Sequence, residues 1–250
     1  MKINIITGGS RGLGRSMALH LADKGQDSII TYHANKASAD EVVKDIKAKG
    51  RKAVALQLDI SKSATFEAFA KDVKMVLATI WKRDTFDHLV NNAGTGAGVS
   101  IAETSEAVFD GMMNEHVKGP YFLTQELLPL MADGGRIINV SSGLARFSFP
   151  SRAPYAIMKG AIEVFTRYLA KELGERKITA NTLAPGAIAT DFGGGGTRDN
   201  PQVNGMIAAM TALGRTGLPD DIGALAAAML SNDFRWVNGQ RIEASGGFML

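Results

Sequence analysis

Tyr155 and Lys159 stand four residues apart in "YAIMKGAIEVFTRYL". In a helix that spacing puts both side chains on one face. An ammonium beside a phenol stabilises the phenolate and draws the phenol from its usual pKa of ~10 toward neutrality. A phenol tuned in this way can give a proton to a carbonyl oxygen or take one from an alcohol. Ser142 ends the β-rich run "GRIINVSS", thirteen residues before Tyr155. Its hydroxyl could hold the same oxygen. Ser141 beside it has the simpler expectation of a strand-end hydroxyl bonded to backbone. A Tyr-x-x-x-Lys pair alone is common surface decoration, so the chemistry needs a second component.

That component lies near the N-terminus. "TGGSRGLG" follows the apolar run "INIIT" and opens a helical pattern. Gly8, Gly12 and Gly14 permit a tight turn and a close approach of phosphate to backbone N–H groups. With Ser10, Arg11 and Leu13 they form an expected pyrophosphate seat, favoured by the helix N-terminus. The spacing is T-G-x-x-x-G-x-G, and the Lys-Ser/Thr ending of a nucleoside-triphosphatase loop is missing. The second strand ends in "TYHANK", with no Asp or Glu to accept a bond from a ribose 2′-hydroxyl. Arg11, His33 and Lys36 suit a 2′-phosphate instead. The expected cofactor is therefore NADP in preference to NAD.

These residues need a frame. Short β-rich runs at 3–7, 27–32, 52–60, 86–94, 135–142, 178–186 and 239–247 alternate with helical patterns. The longest helical patterns cover 64–81, 103–131 and 154–174. Strands that are apolar on both faces and separated by helices predict an α/β fold with a doubly wound parallel sheet. No linker or repeat divides residues 1–250, so one domain is expected. The segment 187–213 contains "GGGG" at 193–196, which reads either as a flexible surface loop or as the hinge of a lid that closes over a substrate.

Composition removes other classes of function. There is no cysteine, which excludes disulfides, thiolate catalysis and cysteine-bound metal, and no metal site is expected. The net charge of +3 is scattered without a basic run, so no nucleic-acid partner is expected. No apolar run approaches the ~20 residues of a membrane span. The start shows no leader pattern. A cytoplasmic protein with no membrane partner is the expectation.

The joint order is Thr7-Gly8-x-x-x-Gly12-x-Gly14, Asn91-Asn92-Ala93-Gly94, Ser142, Tyr155-x-x-x-Lys159 and Pro185-Gly186. It resembles the short-chain dehydrogenase/reductase family, in its single-domain branch, over essentially the whole chain. The resemblance implies a Rossmann-type sheet of seven strands and a nicotinamide cofactor. It implies that Tyr155 is the general acid/base and that Ser142 orients the substrate oxygen. Lys159 would lower the Tyr155 pKa and hold the nicotinamide ribose. Asp59, with Ile60 beside it, falls on the adenine contact. Asn91, Ala93 and Gly94 fall on positions that line the cofactor, and Pro185, Gly186, Ile188 and Thr190 on positions near its carboxamide and phosphates. A homo-oligomer, tetramer or dimer, is also implied, with the helices at 103–131 and 154–174 and the C-terminal "GGFML" as contact surfaces.

One position departs from the family. Its fourth catalytic residue is an Asn in the helix before the fifth strand. Aligned on "VKGPYFL", that position is His116, not Asn114. Helical periodicity agrees: Phe109, Met112, Met113, His116 and Leu123 share a face, from which Asn114 points away. Neutral imidazole can donate on one nitrogen and accept on the other. In the family that Asn helps hold a water linking the lysine to solvent, so the resemblance implies that His116 takes over this water-holding and relay role; the competing reading is a satisfied core histidine. Hydride transfer between NADP(H) and a small-molecule carbonyl/alcohol pair is the expected function. The rivals are a 3-oxoacyl-thioester reductase and a non-catalytic dinucleotide sensor, against which the intact Ser142, Tyr155 and Lys159 argue. Phe147 and Phe149 in "ARFSFP" are expected either to border the pocket or to pack their loop.

Overall fold

The computed structural model describes residues 1–250. Strands β1 (Ile3–Ile6), β2 (Asp27–Tyr32), β3 (Ala53–Gln57), β4 (Phe86–Asn91), β5 (Met131–Val140), β6 (Thr179–Pro185) and β7 (Arg241–Ala244) form one sheet. Their order is β3-β2-β1-β4-β5-β6-β7, and every neighbouring pair is parallel. The main helices are α1 (Gly12–Asp23), α2 (Lys36–Ala48), α3 (Phe66–Val76), α4 (Glu106–Met113), α5 (Gly119–Leu127) and α6 (Ala153–Glu172). Then come α7 (Gly196–Asp199), α8 (Pro201–Ala209) and α9 (Pro219–Met229). This is the doubly wound Rossmann-type architecture expected from the sequence. No helix is long and apolar enough to cross a membrane.

The continuous apolar runs follow from the period-two geometry of a strand. Ile5, Ile29, Leu89 and Ile137 enter a core with Phe66, Phe69, Leu123 and Leu127. Their neighbours Ile6, Ile30, Val90 and Ile138 enter a second core with Met17, Leu21, Ile46 and Ile222. Both faces are covered, so neither residue of each pair is polar.

The chain reverses its winding between β1 and β4, which opens a crevice at their C-terminal ends. Thr7 pins that crevice. Its hydroxyl accepts from the N–H groups of Asn92 and Ala93, each at 2.9 Å. The Asn92 side chain donates back to the Thr7 carbonyl at 2.9 Å.

The helical pattern at 103–131 is broken in a way periodicity does not show. A wide π-type turn, Asn114–Lys118, separates α4 from α5. Pro120 has no N–H for the carbonyl of His116 four residues back, so the regular α-helical ladder cannot continue there. Gly119 follows the turn and presses onto the end of the neighbouring connection. A β-carbon at Gly119 would lie 2.2 Å from the Ile60 carbonyl and 2.9 Å from the Asn114 carbonyl. Strand β5 starts earlier than its pattern, at Met131. Strand β7 stops at Ala244, because Gly246 and Gly247 turn the chain through positive φ.

Both obstacles at Gly119 are backbone atoms that cannot rotate away. Gly119→Ala should therefore cost about 1–3 kcal/mol and lower the melting temperature by several degrees. Thermal unfolding by circular dichroism checks this; an unchanged transition contradicts the packing.

Candidate active site

Tyr155 and Lys159 occupy the first two turns of α6, whose buried face also carries Met158 and Ile162. They are only 9% and 5% exposed. The Lys159 ammonium donates to the carbonyl of Val140, the last residue of β5, at 2.8 Å. It lies 5.4 Å from the centroid of the Tyr155 ring. Burial lowers Lys159 to about 8, with the Glu115 carboxylate opposing. Burial also pushes the Tyr155 phenol well above its ordinary value. Ser142 and Arg152 pull the phenol down, Glu115 pushes it up, and desolvation wins. This corrects the expectation that Lys159 draws the phenol toward neutrality: the ammonium is committed to the Val140 carbonyl.

Ser142 has extended backbone as the chain leaves β5 and caps a short turn, Gly143–Ala145. Its hydroxyl accepts from the Leu144 N–H at 3.2 Å. Ser141 behaves as a strand-end hydroxyl, 3.1 Å from the Lys159 carbonyl and 2.7 Å from a Glu163 oxygen.

His116 lies in the π-type turn, 2% exposed. Its Nε2 is 2.7 Å from the Thr95 carbonyl. A carbonyl only accepts, so Nε2 carries the proton and Nδ1 is left as an acceptor. Nδ1 is buried without a hydrogen-bond partner. Burial first, and Lys159 second, lower His116 to about 3, so the ring is neutral at ordinary pH. It meets the Tyr155 ring edge to face, with centroids 5.2 Å apart. Gly94 makes room for it: a β-carbon there would lie 2.4 Å from His116 Cε1.

At the far end of the crevice, α1 begins at Gly12 with no side chain capping its amides and no acid in its first turn. By contrast α2, α4 and α8 are capped by Asn35, Ser105 and Asn200. A β-carbon at Gly14 would lie 2.3 Å from the Gly8 carbonyl, so only glycine closes this turn. One cavity of about 1370 Å³ runs from the glycine turn to Tyr155. Its wall includes Gly8, Ser10, Arg11, Gly12, Leu13, His33, Asp59, Ile60, Ala93, Gly94, Pro185, Gly186, Ile188 and Thr190, together with His116, Ser142 and Lys159. These features fit a dinucleotide: bare amides for the pyrophosphate, no acid at the end of β2, and room for a second molecule.

Three expected residues do not reach that wall. Gly14 sits behind the turn. Asn91 is buried in the sheet and donates to Thr124 at 3.0 Å and Asn139 at 2.8 Å. Lys36 pairs with Asp40 one turn along α2, at 2.6 Å. Among the others, Arg11 pairs with Asp191 at 2.5 Å. Asp59 is held below its usual range despite partial burial, by Ser61, Lys62 and His33.

Sequence reasoning missed several wall residues. Asn92 was next to recognised positions, whereas Thr31, Glu115, Arg152, Phe192 and Phe248 carried no motif. Phe147 and Phe149 do border the cavity. Phe248 comes from the C-terminal end to join them, 5.1 Å from Phe147 and stacked 6.0 Å from Phe149. Phe147 lies on Gly143, where a β-carbon would be 2.6 Å from its Cζ. Phe192 lies against Gly96 and 5.9 Å from the Tyr155 ring. Aromatic surface thus stands beside both Ser142 and Tyr155.

A family model described as Enoyl-(Acyl carrier protein) reductase matches residues 8–249. The chain is 36% identical over 258 residues to a tetrahydroxynaphthalene reductase of Pestalotiopsis fici, covering 98% of this chain and 91% of that one. It is similar to the structure of a promiscuous reductase that catalyses keto-reduction at C1 during lugdunomycin biosynthesis. That match has a TM-score of 0.94 and 33% identity, over 100% of this chain and 98% of the other. A landomycin C-6 ketoreductase with bound NADP and rabelomycin matches with a TM-score of 0.90 and 33% identity, over 99% and 96% of the two chains.

The lowered Lys159 makes a signed prediction. Its folded value of about 8 lies below the unfolded ~10.4. Between those values the unfolded chain binds more protons, so this group makes stability rise with pH. Below about 8 the cost of the buried charge is present in full. Relative to Lys159→Met, the parent should gain melting temperature as pH rises through that window. A difference that stays constant with pH contradicts the buried ammonium.

Proposed function

The chain belongs to the short-chain dehydrogenase/reductase family, and on that premise we propose that it reduces a carbonyl to a secondary alcohol with NADPH. One observation carries this reading. Ser142, Tyr155 and Lys159 meet at one end of a cavity whose other end is the bare N-terminus of α1. NADPH, when bound, supplies the hydride. The amides of the glycine turn would hold its pyrophosphate, and Arg11 and His33, which now face Asp191 and Asp59, would turn to its 2′-phosphate. The NADP bound in the landomycin ketoreductase supports the choice of cofactor.

The chain's own groups handle the substrate oxygen. Ser142 donates to it and fixes its direction. Tyr155 gives it a proton. A phenol kept neutral by burial is the form that donates a proton to the oxygen in the reductive direction. Lys159 keeps one N–H on the Val140 carbonyl, would turn another toward the nicotinamide ribose, and can release a proton near neutral pH. His116, as a neutral ring with its Nε2 proton on the Thr95 carbonyl, accepts a hydrogen bond from a water at its unpartnered Nδ1 and so positions that water, which carries the proton from solvent toward Lys159.

The substrate is an aromatic ketone. The support is the aromatic lining by Phe147, Phe149, Phe192 and Phe248, with the naphthalene reductase and the rabelomycin-bound neighbour as parallels. The segment 187–213 closes over it: Phe192 lies in this segment, and Gly193, Gly194 and Gly195 all adopt positive φ. The chain works as a homo-oligomer through α5 and α6, whose Tyr121, Phe122, Ile157, Val164 and Tyr168 are exposed.

NADPH oxidation against a panel of aryl ketones tests the reading. Tyr155→Phe should lose at least about a hundredfold in kcat while still binding NADPH; full retention sinks the mechanism. His116→Ala should slow turnover and shift its pH profile, with His116→Asn recovering part of the rate. Parent-like rates and profiles in both variants would leave His116 as a core residue only.

A further inference from the structure

We infer that Arg241, with Glu243 as its partner, is a positioning residue for Ser142 and for the aromatic wall of the pocket. This rests on the carbonyl reduction proposed for that site. Arg241 opens β7, the edge strand of the sheet. Its guanidinium spends three N–H directions on three different elements. Nε donates to Glu163 on α6 at 2.8 Å, one turn beyond Lys159. Nη1 donates to Glu243 on β7 at 2.6 Å. Nη2 reaches past β6 and donates to the backbone carbonyl of Ser142 at 3.2 Å.

Glu243 carries the connection onward with its other oxygen. That oxygen accepts from Arg146 at 2.9 Å and from the Ser245 hydroxyl at 3.0 Å. The Arg146 guanidinium lies 5.8 Å from the centroid of the Phe147 ring. The Ser245 hydroxyl accepts from the Phe248 N–H at 3.3 Å. A bonded chain therefore runs from the Ser142 carbonyl to Arg146, beside the Phe147 ring, and to the backbone of Phe248; the Phe147 and Phe248 rings pack at 5.1 Å on the cavity wall. Neither Arg241 nor Glu243 lines the cavity, so they act through the residues they hold.

The chemistry of the pair suits this task. The side chains of Arg241, Glu163 and Glu243 are 24%, 16% and 19% exposed. Partly desolvated charges are held strongly, and removing one partner leaves the other charges uncompensated. A planar fork points fixed donors at two carboxylates and a carbonyl on separate elements; a lysine ammonium, a compact point charge with three donors, can keep some of these bonds but not their directions. An edge strand needs no such device to pair with β6, because its backbone already does so.

The test uses Arg241→Gln, Arg241→Lys and Glu243→Gln in the full chain. NADPH affinity is read by fluorescence, turnover with tetralone and with cyclohexanone, and amide exchange by mass spectrometry. In Arg241→Gln, kcat should fall at least about tenfold on both ketones with NADPH affinity within about twofold, and Lys should restore part of it. Exchange in the peptide 141–150 should quicken while that of β1 stays unchanged. In Glu243→Gln, KM should rise several-fold for tetralone and stay level for cyclohexanone. A parent-like kcat in Arg241→Gln, a loss of kcat matched by an equal loss of NADPH affinity, or equal KM changes for the two ketones overturns the inference. If the parent reduces neither these ketones nor any of the aryl-ketone panel, the functional reading has failed on its own, and the exchange measurement decides. Unchanged exchange at 141–150 in Arg241→Gln then overturns the positioning role.

Discussion

The Lys159 ammonium is almost out of water, and the Val140 carbonyl is its hydrogen-bond acceptor. A buried charge is tolerated only when its partner is fixed. Much of the site follows from that constraint. Strand β5 must deliver the Val140 carbonyl at its C-terminal end, and α6 must cross there. Tyr155, one turn earlier on α6, is then carried into the same buried setting. The two groups respond to burial in opposite directions along the pH scale, yet by the same physics, since each loses its charged form. The phenol stays protonated and the ammonium becomes easier to deprotonate. An acid ready to donate, beside a cation able to give up a proton, is the arrangement a carbonyl reduction uses.

Close approach is the second theme. His116 rests on Gly94, Phe147 on Gly143, and the phosphate turn closes through Gly14 on Gly8. In each case a missing β-carbon lets a side chain or backbone carbonyl lie against the main chain beside the cavity. The consequence is a site whose polar groups stand at the end of β5, on α6 and in the π-type turn, while Phe147 in its apolar wall is seated on bare backbone. The polar set is suited to the shared chemistry, and the aromatic set to choosing the molecule.

Much of this was legible in the sequence. The alternation of apolar runs with helices read as a covered parallel sheet because both faces of each strand are buried. Thr7, the glycine turn, Ser142, Tyr155 and Lys159 are each weak signals alone, and they stand out through their joint order, which resembles that of a known family. The rest was hidden for physical reasons. Periodicity over 103–131 looked continuous, since the effect of Pro120 on the hydrogen-bond ladder leaves the apolar pattern intact. Asn91 and Lys36 had plausible types but were claimed by nearer partners, Asn139 and Asp40. The rise in the Tyr155 pKa depends on how dry the pocket is, which no local spacing reports. Phe248 and Arg241 lie about a hundred residues from Ser142, and only the sheet order brings them together.

The central claim is that a hydride arrives at a carbonyl carbon while Tyr155 protonates its oxygen. The most direct measurement supplies NADPH carrying deuterium at the transferable position of its nicotinamide ring, with an aryl ketone, and analyses the product by mass spectrometry. The account predicts an alcohol with one deuterium on the former carbonyl carbon. Tight NADPH binding with no label in the alcohol of any aryl ketone would contradict it.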